Sequence, residues 1–303
     1  MSFYGRFLRI TEGNKRFARS IVAFLKSRDK LTAFEWRENL KPLLESLSAE
    51  INTAILSHDQ SFWTLANLKQ IRNQVNGIVA KYDAQFSSMM ESAQNGVASV
   101  TIESMKKQFT EAGLSHSGTF FHIDQIIAGI HPLTANFISG YFGQMSKIIN
   151  NEIAIGLSNG LSVSEVAQSI EDKFDSSQMS YARAEKIAMT ELNRASSFAQ
   201  HQAGIELKAN NPTLKKIWIN SHKPAARQTH IDVEEETTKN PIDIEEDFEV
   251  VDESTGETEY GQFPRDPSFS AGNSVNCGCT VIYVNGEDKE MIETIRQNQE
   301  EEA

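Results

Sequence analysis

The hydrophobic period of this 303-residue chain changes at Pro212, and that change bounds what the chain can fold into. Before Pro212, apolar residues recur at steps of three and four, the spacing that lines one face of a helix. After it come two short runs, "LKKIWIN" at 214–220 and "CTVIYVN" at 279–285. Both are rich in branched and aromatic residues, alternate in part, and are bounded by Asn, Gly and Pro, as strands are. The expected class is therefore α+β and mostly α-helical. An elongated N-terminal helical region precedes a small β-containing C-terminal module whose ends are joined by pairing of the two runs.

Thr32 and Glu35 have capping-box spacing, and Leu40, Leu43, Leu44, Leu47, Ile51 and Ile55 then trace one helical face. Leu65, Leu68, Ile71, Val75, Val79, Tyr82 and Phe86 trace a second, so residues 1–110 read as an elongated helical hairpin or bundle. From about Ala93 to His131 the text is punctuated by Gly96, Gly113, Gly118 and Gly129, with Pro132 following, and reads as a connection. Phe137, Tyr141, Phe142, Met145, Ile148 and Ile149 restore a helical stripe, making 111–160 a helical connector. His116, His122 and His131 share no helical face and no ligand cluster, so they do not read as a metal site. Ser162 and Glu165 form another capping-box pattern ahead of Val166, Ile170 and Phe174. Tyr181, Ala184, Ala188, Leu192, Ala195, Ala199 and Ile205 make a seam of small residues suited to close helix packing. Arg183, Glu185, Glu191 and Arg194 are spaced to pair around its turns. The C-terminal module spans 161–285, and 286–303 is a polar tail.

Net charge is −12, and its location is informative. Residues 232–259 hold 13 of the 41 acids and one of the 29 bases, so the remainder of the chain is balanced. With Pro241 and Gly256 as breakers, this stretch reads as a solvated acidic insertion. The first thirty residues are the opposite. Arg6, Arg9, Lys15, Arg16, Arg19, Lys26, Arg28 and Lys30 face only Glu12 and Asp29, with Phe17, Ile21, Phe24 and Leu25 between them, the pattern of a cationic amphipathic helix. No apolar run approaches the roughly 20 residues of a membrane-spanning helix, and the N-terminus lacks the apolar core of a secretory signal.

Both cysteines, Cys277 and Cys279, lie one residue apart. A disulfide between them would be strained, so they are not a structural staple. Strand pairing carries them toward "SHKPAARQTH", which holds His222 and His230. Two thiolates and two imidazoles are a sound tetrahedral set for a structural zinc that would fasten the chain across the acidic stretch. The spacing is tighter than the usual gap of two to four residues. Two other readings stand beside it: small buried cysteines in a turn where Gly278 allows an unusual backbone angle, and a cysteine nucleophile with His230 as base.

The run Ala182 to Ala195, "ARAEKIAMTELNRA", resembles the "A..IA.TE...A" helix of the phage Mu F-like minor head proteins, the phage head morphogenesis family. "IWIN", "RQTH", "FPRDP" and "VNCGCTV" follow in that family's order, so the resemblance covers about Leu161 to Val284. The matching residues are Glu191, Trp218, Arg227, His230, Pro264, Asp266, Pro267, Asn276, Cys277 and Cys279. Two departures are visible: Gly278 replaces the arginine between the cysteines, and "HIDVEEE" lacks the glycine expected after the histidine. The resemblance implies a structural minor capsid protein, made in the host cytoplasm and held inside the phage head at or near the portal vertex in several copies. It would aid head assembly, with DNA packaging or ejection as further roles, and would touch the portal protein, the major capsid protein or both. No established catalytic activity comes with it. Arg6, Arg9, Lys15, Arg16 and Arg19 are the candidates for contact with DNA or an acidic portal face, by clustering alone. The alternative is a metal-dependent nuclease or other hydrolase in which Cys277, Cys279 and His222 hold zinc and His230 is the base. A packaged toxin would need a further catalytic domain, for which the text after Val284 leaves too little room.

Overall fold

Among the described residues, the chain is helical where apolar residues recur at helical spacing and forms strands where they shorten and branch after Pro212. The computed structural model describes residues 39–114, 116, 122–174, 179–220, 226–290 and 292–293. In order these form α1 (39–56), α2 (Leu68–Glu111), α3 (Ile123–Ser158), α4 (Val163–Phe174) and α5 (Tyr181–Lys208). There follow β1 (Leu214–Ile219), α6 (Gln228–Lys239), β2 (Ile242–Asp243), β3 (Phe248–Val251), β4 (Thr258–Gly261), the single turn α7 (Ala271–Ser274) and β5 (Thr280–Asn285). The class is α+β and mostly helical, as the period implied. No described helix is long and apolar enough to cross a membrane.

The loosened text after Ala93 is not a connection. α2 runs without a break through Gly96 to Glu111, 44 residues in all, and Gly129 and Pro132 lie inside α3. A helical glycine costs about 1 kcal/mol relative to alanine. Burial of Val97, Ile102, Met105 and Phe109 on the following turns outweighs it, at about 1.5–3 kcal/mol for each large side chain.

Two compact units can be distinguished. One comprises 33–93 with 131–189 and is a helical bundle among its described residues. Its interior is made by Leu44, Leu47, Ile51 and Ile55 of α1, Ile71, Val75, Val79 and Phe86 of α2, and Tyr141, Phe142, Met145 and Ile149 of α3. Phe86 meets Phe142 edge-on at 5.5 Å, and Arg72 donates to the Asn150 carbonyl at 3.0 Å. The expected capping box starts α4: the Ser162 amide donates to Glu165 Oε2 at 2.7 Å, and the Glu165 amide to Ser162 Oγ at 3.3 Å.

The second unit contains 94–130 and everything from Thr190 onward. Its sheet has the order β2-β1-β5, and β1 pairs antiparallel with β5 from Leu214↔Asn285 to Ile219↔Thr280, so the two strand-like runs meet as expected. Met105 and Phe109 of α2, Ala203 and Leu207 of α5, and Val233 of α6 join this sheet in one core. Gly204 lets α5 approach the sheet: a Cβ there would lie 2.7 Å from the Tyr283 ring and 2.8 Å from Ile244.

Residues 232–259 depart from the expected solvated insertion. Gln228–Lys239 is helix, and β2 and the β3–β4 hairpin follow it. Val233, Ile244, Phe248 and Val250 enter the core with Ile242 packed against it, and these apolar anchors order a polar stretch to which β1 offers an edge. Several of its acids are internal links rather than a solvated face. Asp252 accepts from Ser254 Oγ at 2.5 Å, from Ser270 Oγ at 2.6 Å and from the Ser254 amide at 2.7 Å, bonds that hold its carboxyl down at about 2.

Candidate functional site

The register that places Ile219 opposite Thr280 sets Cys279 at the mouth of β5, one residue beyond the paired strand. α6 then lays His230 over this end, with the Trp218 ring of β1 edge-on to the imidazole at 5.4 Å. His230, Cys277 and Cys279 are all buried, and their ligating atoms lie within 4.8 Å of one another. His230 Nδ1 is 3.2 Å from Cys279 Sγ and 3.8 Å from Cys277 Sγ.

The opposite face of the imidazole is also fixed. Nε2 lies 3.2 Å from Asn273 Oδ1, while Asn273 Nδ2 donates to Glu259 Oε2 at 2.8 Å. The carboxylate takes the amide's NH₂ group, so the amide oxygen faces the ring and Nε2 carries the proton. Nδ1 is left as a lone pair directed at the two sulfurs. A hydrogen bond from the Cys279 thiol holds Cys277 well below the ordinary thiol range, with the Arg265 guanidinium adding to it; burial pushes Cys279 above that range.

Arg265 is the hub of the loop that carries the cysteines. It is fully buried and donates to the Cys277 carbonyl at 2.6 Å, the Cys279 carbonyl at 3.0 Å and Ser197 Oγ at 2.6 Å. Its own carbonyl accepts from Arg194 Nε at 2.8 Å, and Arg194 pairs with Glu191 at 2.5 Å, both side chains 2% exposed. Burial raises the Glu191 carboxyl to about 7 against the opposing pull of Arg194. The result is a chain of polar contacts from the Thr-Glu helix, α5, through the Pro-Arg-Asp-Pro loop to the Cys-Gly-Cys turn.

The other motif residues are backbone organisers. Arg227 donates to the Val275 carbonyl at 2.8 Å, just ahead of Asn276. Asp266 accepts from the Gln262 and Ser268 amides at 3.1 and 3.0 Å and so ties its own turn, between buried Pro264 and exposed Pro267. The unusual backbone angle expected at Gly278 is instead at Asn276, with φ 58°, a conformation asparagine tolerates better than most residues. The arginine that the family places between its cysteines is absent, and in this chain Arg265 reaches the carbonyls on both sides of Gly278.

His222 lies outside the described residues, as do Arg6, Arg9, Lys15, Arg16 and Arg19. Sequence reasoning missed Arg265, Asn273, Glu259 and Glu234. Glu234, one helical turn beyond His230, is buried and accepts from the Asn220 amide at 3.2 Å. The i, i+4 spacing of His230 and Glu234 was the available signal. Arg265 had none, because an arginine between Pro and Asp reads as solvated loop.

Residues 147–282 match the model of the family described as phage Mu protein F like protein. The resemblance read from the motifs is thereby borne out, and it begins earlier than Leu161. Uncharacterized protein YqbB of Bacillus subtilis (strain 168) is 29% identical over 158 residues, covering 48% of this chain and 47% of that protein. NAD(+)--arginine ADP-ribosyltransferase EFV of Enterococcus faecalis is 29% identical over 164 residues, covering 50% of this chain and 31% of that protein. The chain thus matches about half of one relative and a third of the other. No solved structure matches.

Proposed function

From the premise that residues 147–282 are a phage Mu protein F-like region, we propose that the chain is a structural head morphogenesis protein of a tailed phage. In this reading it is a minor capsid component inside the head, at or near the portal vertex, and aids assembly and the passage of DNA. The observation that carries the reading is the use made of the family's motif residues. Glu191, Arg227, Asp266, Cys277 and Cys279 are linked to neighbouring backbone, directly or through Arg194 and Arg265, which suits a scaffold more than a reacting centre. The basic N-terminal stretch, with Arg6, Arg9, Lys15, Arg16 and Arg19, is proposed to face packaged DNA or an acidic portal surface.

The test is genetic and compositional: delete the coding sequence in the phage that carries it, purify particles, and quantify the protein by mass spectrometry before deletion and after complementation. The expected result is a few copies per particle and, on deletion, heads that are malformed or deliver DNA poorly. Absence from particles, together with DNA cleavage by purified protein that His230→Ala abolishes, would replace this reading with the hydrolase one. The relative named as a transferase supplies a further arm. Arginine-directed transfer of ADP-ribose by the purified chain would make it an enzyme, and we expect none, since less than a third of that relative is shared.

A further inference from the structure

We propose that His230 Nδ1, Cys277 Sγ and Cys279 Sγ form a binding site for a borderline-soft divalent cation of the zinc class. A tetrahedral zinc, with Zn–S of about 2.3 Å and Zn–N of about 2.0–2.1 Å, requires N···S separations of about 3.6 Å. The two observed separations, 3.2 and 3.8 Å, bracket that value. The ligands are also held from behind. Asn273 takes the Nε2 proton and is itself oriented by Glu259, the arrangement that fixes ring and tautomer in metal-bound histidines. Arg265 grips the carbonyls of both cysteines and so holds the backbone that carries both sulfurs.

Hydrogen bonding alone accounts for this less well. The Cys279 thiol has one proton to give, either to Cys277 or to Nδ1, so one of those two acceptors is left without a donor although both sulfurs lie against the Nδ1 lone pair. A cation at their common focus satisfies all three atoms. Two thiolates and an imidazole select zinc-like ions over magnesium or calcium, which take oxygen ligands. The ion would join α6 to the entrance of β5 across a separation of 47–49 residues, closing the segment that contains β2, β3 and β4. This inference does not depend on the head-protein reading.

The experiment uses the full chain purified without a histidine tag. Zinc is measured by inductively coupled plasma mass spectrometry, and the chelator-stripped protein is then titrated with Co²⁺ and followed by absorption. We expect about one zinc per chain and a saturable near-ultraviolet thiolate-to-cobalt charge-transfer band. That band should fall to about half in Cys277→Ser and in Cys279→Ser and vanish in the double variant. Stripping should lower Tm by roughly 10 °C, restored by zinc. Because the cobalt spectrum is read on the unaltered protein, a variant that fails to fold does not rescue the idea. No retained zinc and no thiolate band on saturation with Co²⁺, or equal zinc in the double cysteine variant, would overturn it.

Discussion

Replacing Arg265 with alanine removes a guanidinium that makes three buried hydrogen bonds, to the carbonyls of Cys277 and Cys279 and to Ser197 Oγ. Each buried carbonyl left without its donor costs about 1–3 kcal/mol. Water entering the vacated space recovers part of this, so the expected loss is about 4 kcal/mol, within the span for breaking a buried charged arrangement. Backbone conformation adds a second, independent handle, since Arg265 has φ 66°, in the left-handed region. Glycine is relieved there of about 1 kcal/mol that alanine must bear. Arg265→Gly should therefore be more stable than Arg265→Ala by about 1 kcal/mol, the reverse of the order at an ordinary φ. Arg265→Lys keeps the charge but not the fork, and should fall between wild type and alanine. The assay is urea unfolding followed by Trp218 fluorescence in a Trp36→Phe, Trp63→Phe background, because Trp218 packs in the same core. A loss below about 1 kcal/mol in Arg265→Ala would show that the guanidinium does not anchor the turn. Glycine less stable than alanine would refute the backbone argument.

The Glu191 carboxyl gives a pH signature. Its folded value of about 7 exceeds the ordinary 4.5, so the folded state holds a proton that the unfolded chain has released between those values. Stability from this group is full below about pH 4.5 and falls by about 3 kcal/mol as pH rises to 7; Glu191→Gln should flatten that part of the urea-midpoint profile, and an unchanged slope would refute the assignment. Gly204→Ala should cost about 1–3 kcal/mol, because its Cβ would meet Tyr283 and Ile244; Tyr283→Leu in the same chain should recover part of that loss in thermal unfolding. Ser162→Ala should lower stability by about 1 kcal/mol through loss of the α4 capping box, and hydrogen exchange in the first turn of that helix should rise.

The sequence by itself determined the helices of the described residues between 39 and 208, the pairing of the two strand-like runs, the capping box at Ser162 and the Mu F-like motif. Each of these rests on local spacing, because side-chain period and cap chemistry are written within a few residues of one another. It also brought Cys277 and Cys279 toward the region of His230, since antiparallel pairing of β1 and β5 follows from two matched runs. It misjudged Gly96 and residues 232–259, where a local rule lost to burial. A glycine or an acidic stretch announces a break, and neither announces the distant apolar surface that holds it in a helix or against a sheet edge. Tertiary structure alone decided what the motif residues do. Arg265 reaches carbonyls 12 and 14 residues away, Arg194 reaches a carbonyl 71 residues away, and Glu259 orients Asn273, which orients His230. Such partners share no period. They meet only because the backbone has already been brought together by the packing of α5 and α6 on the sheet, and a buried polar group must then take whichever partner that packing supplies.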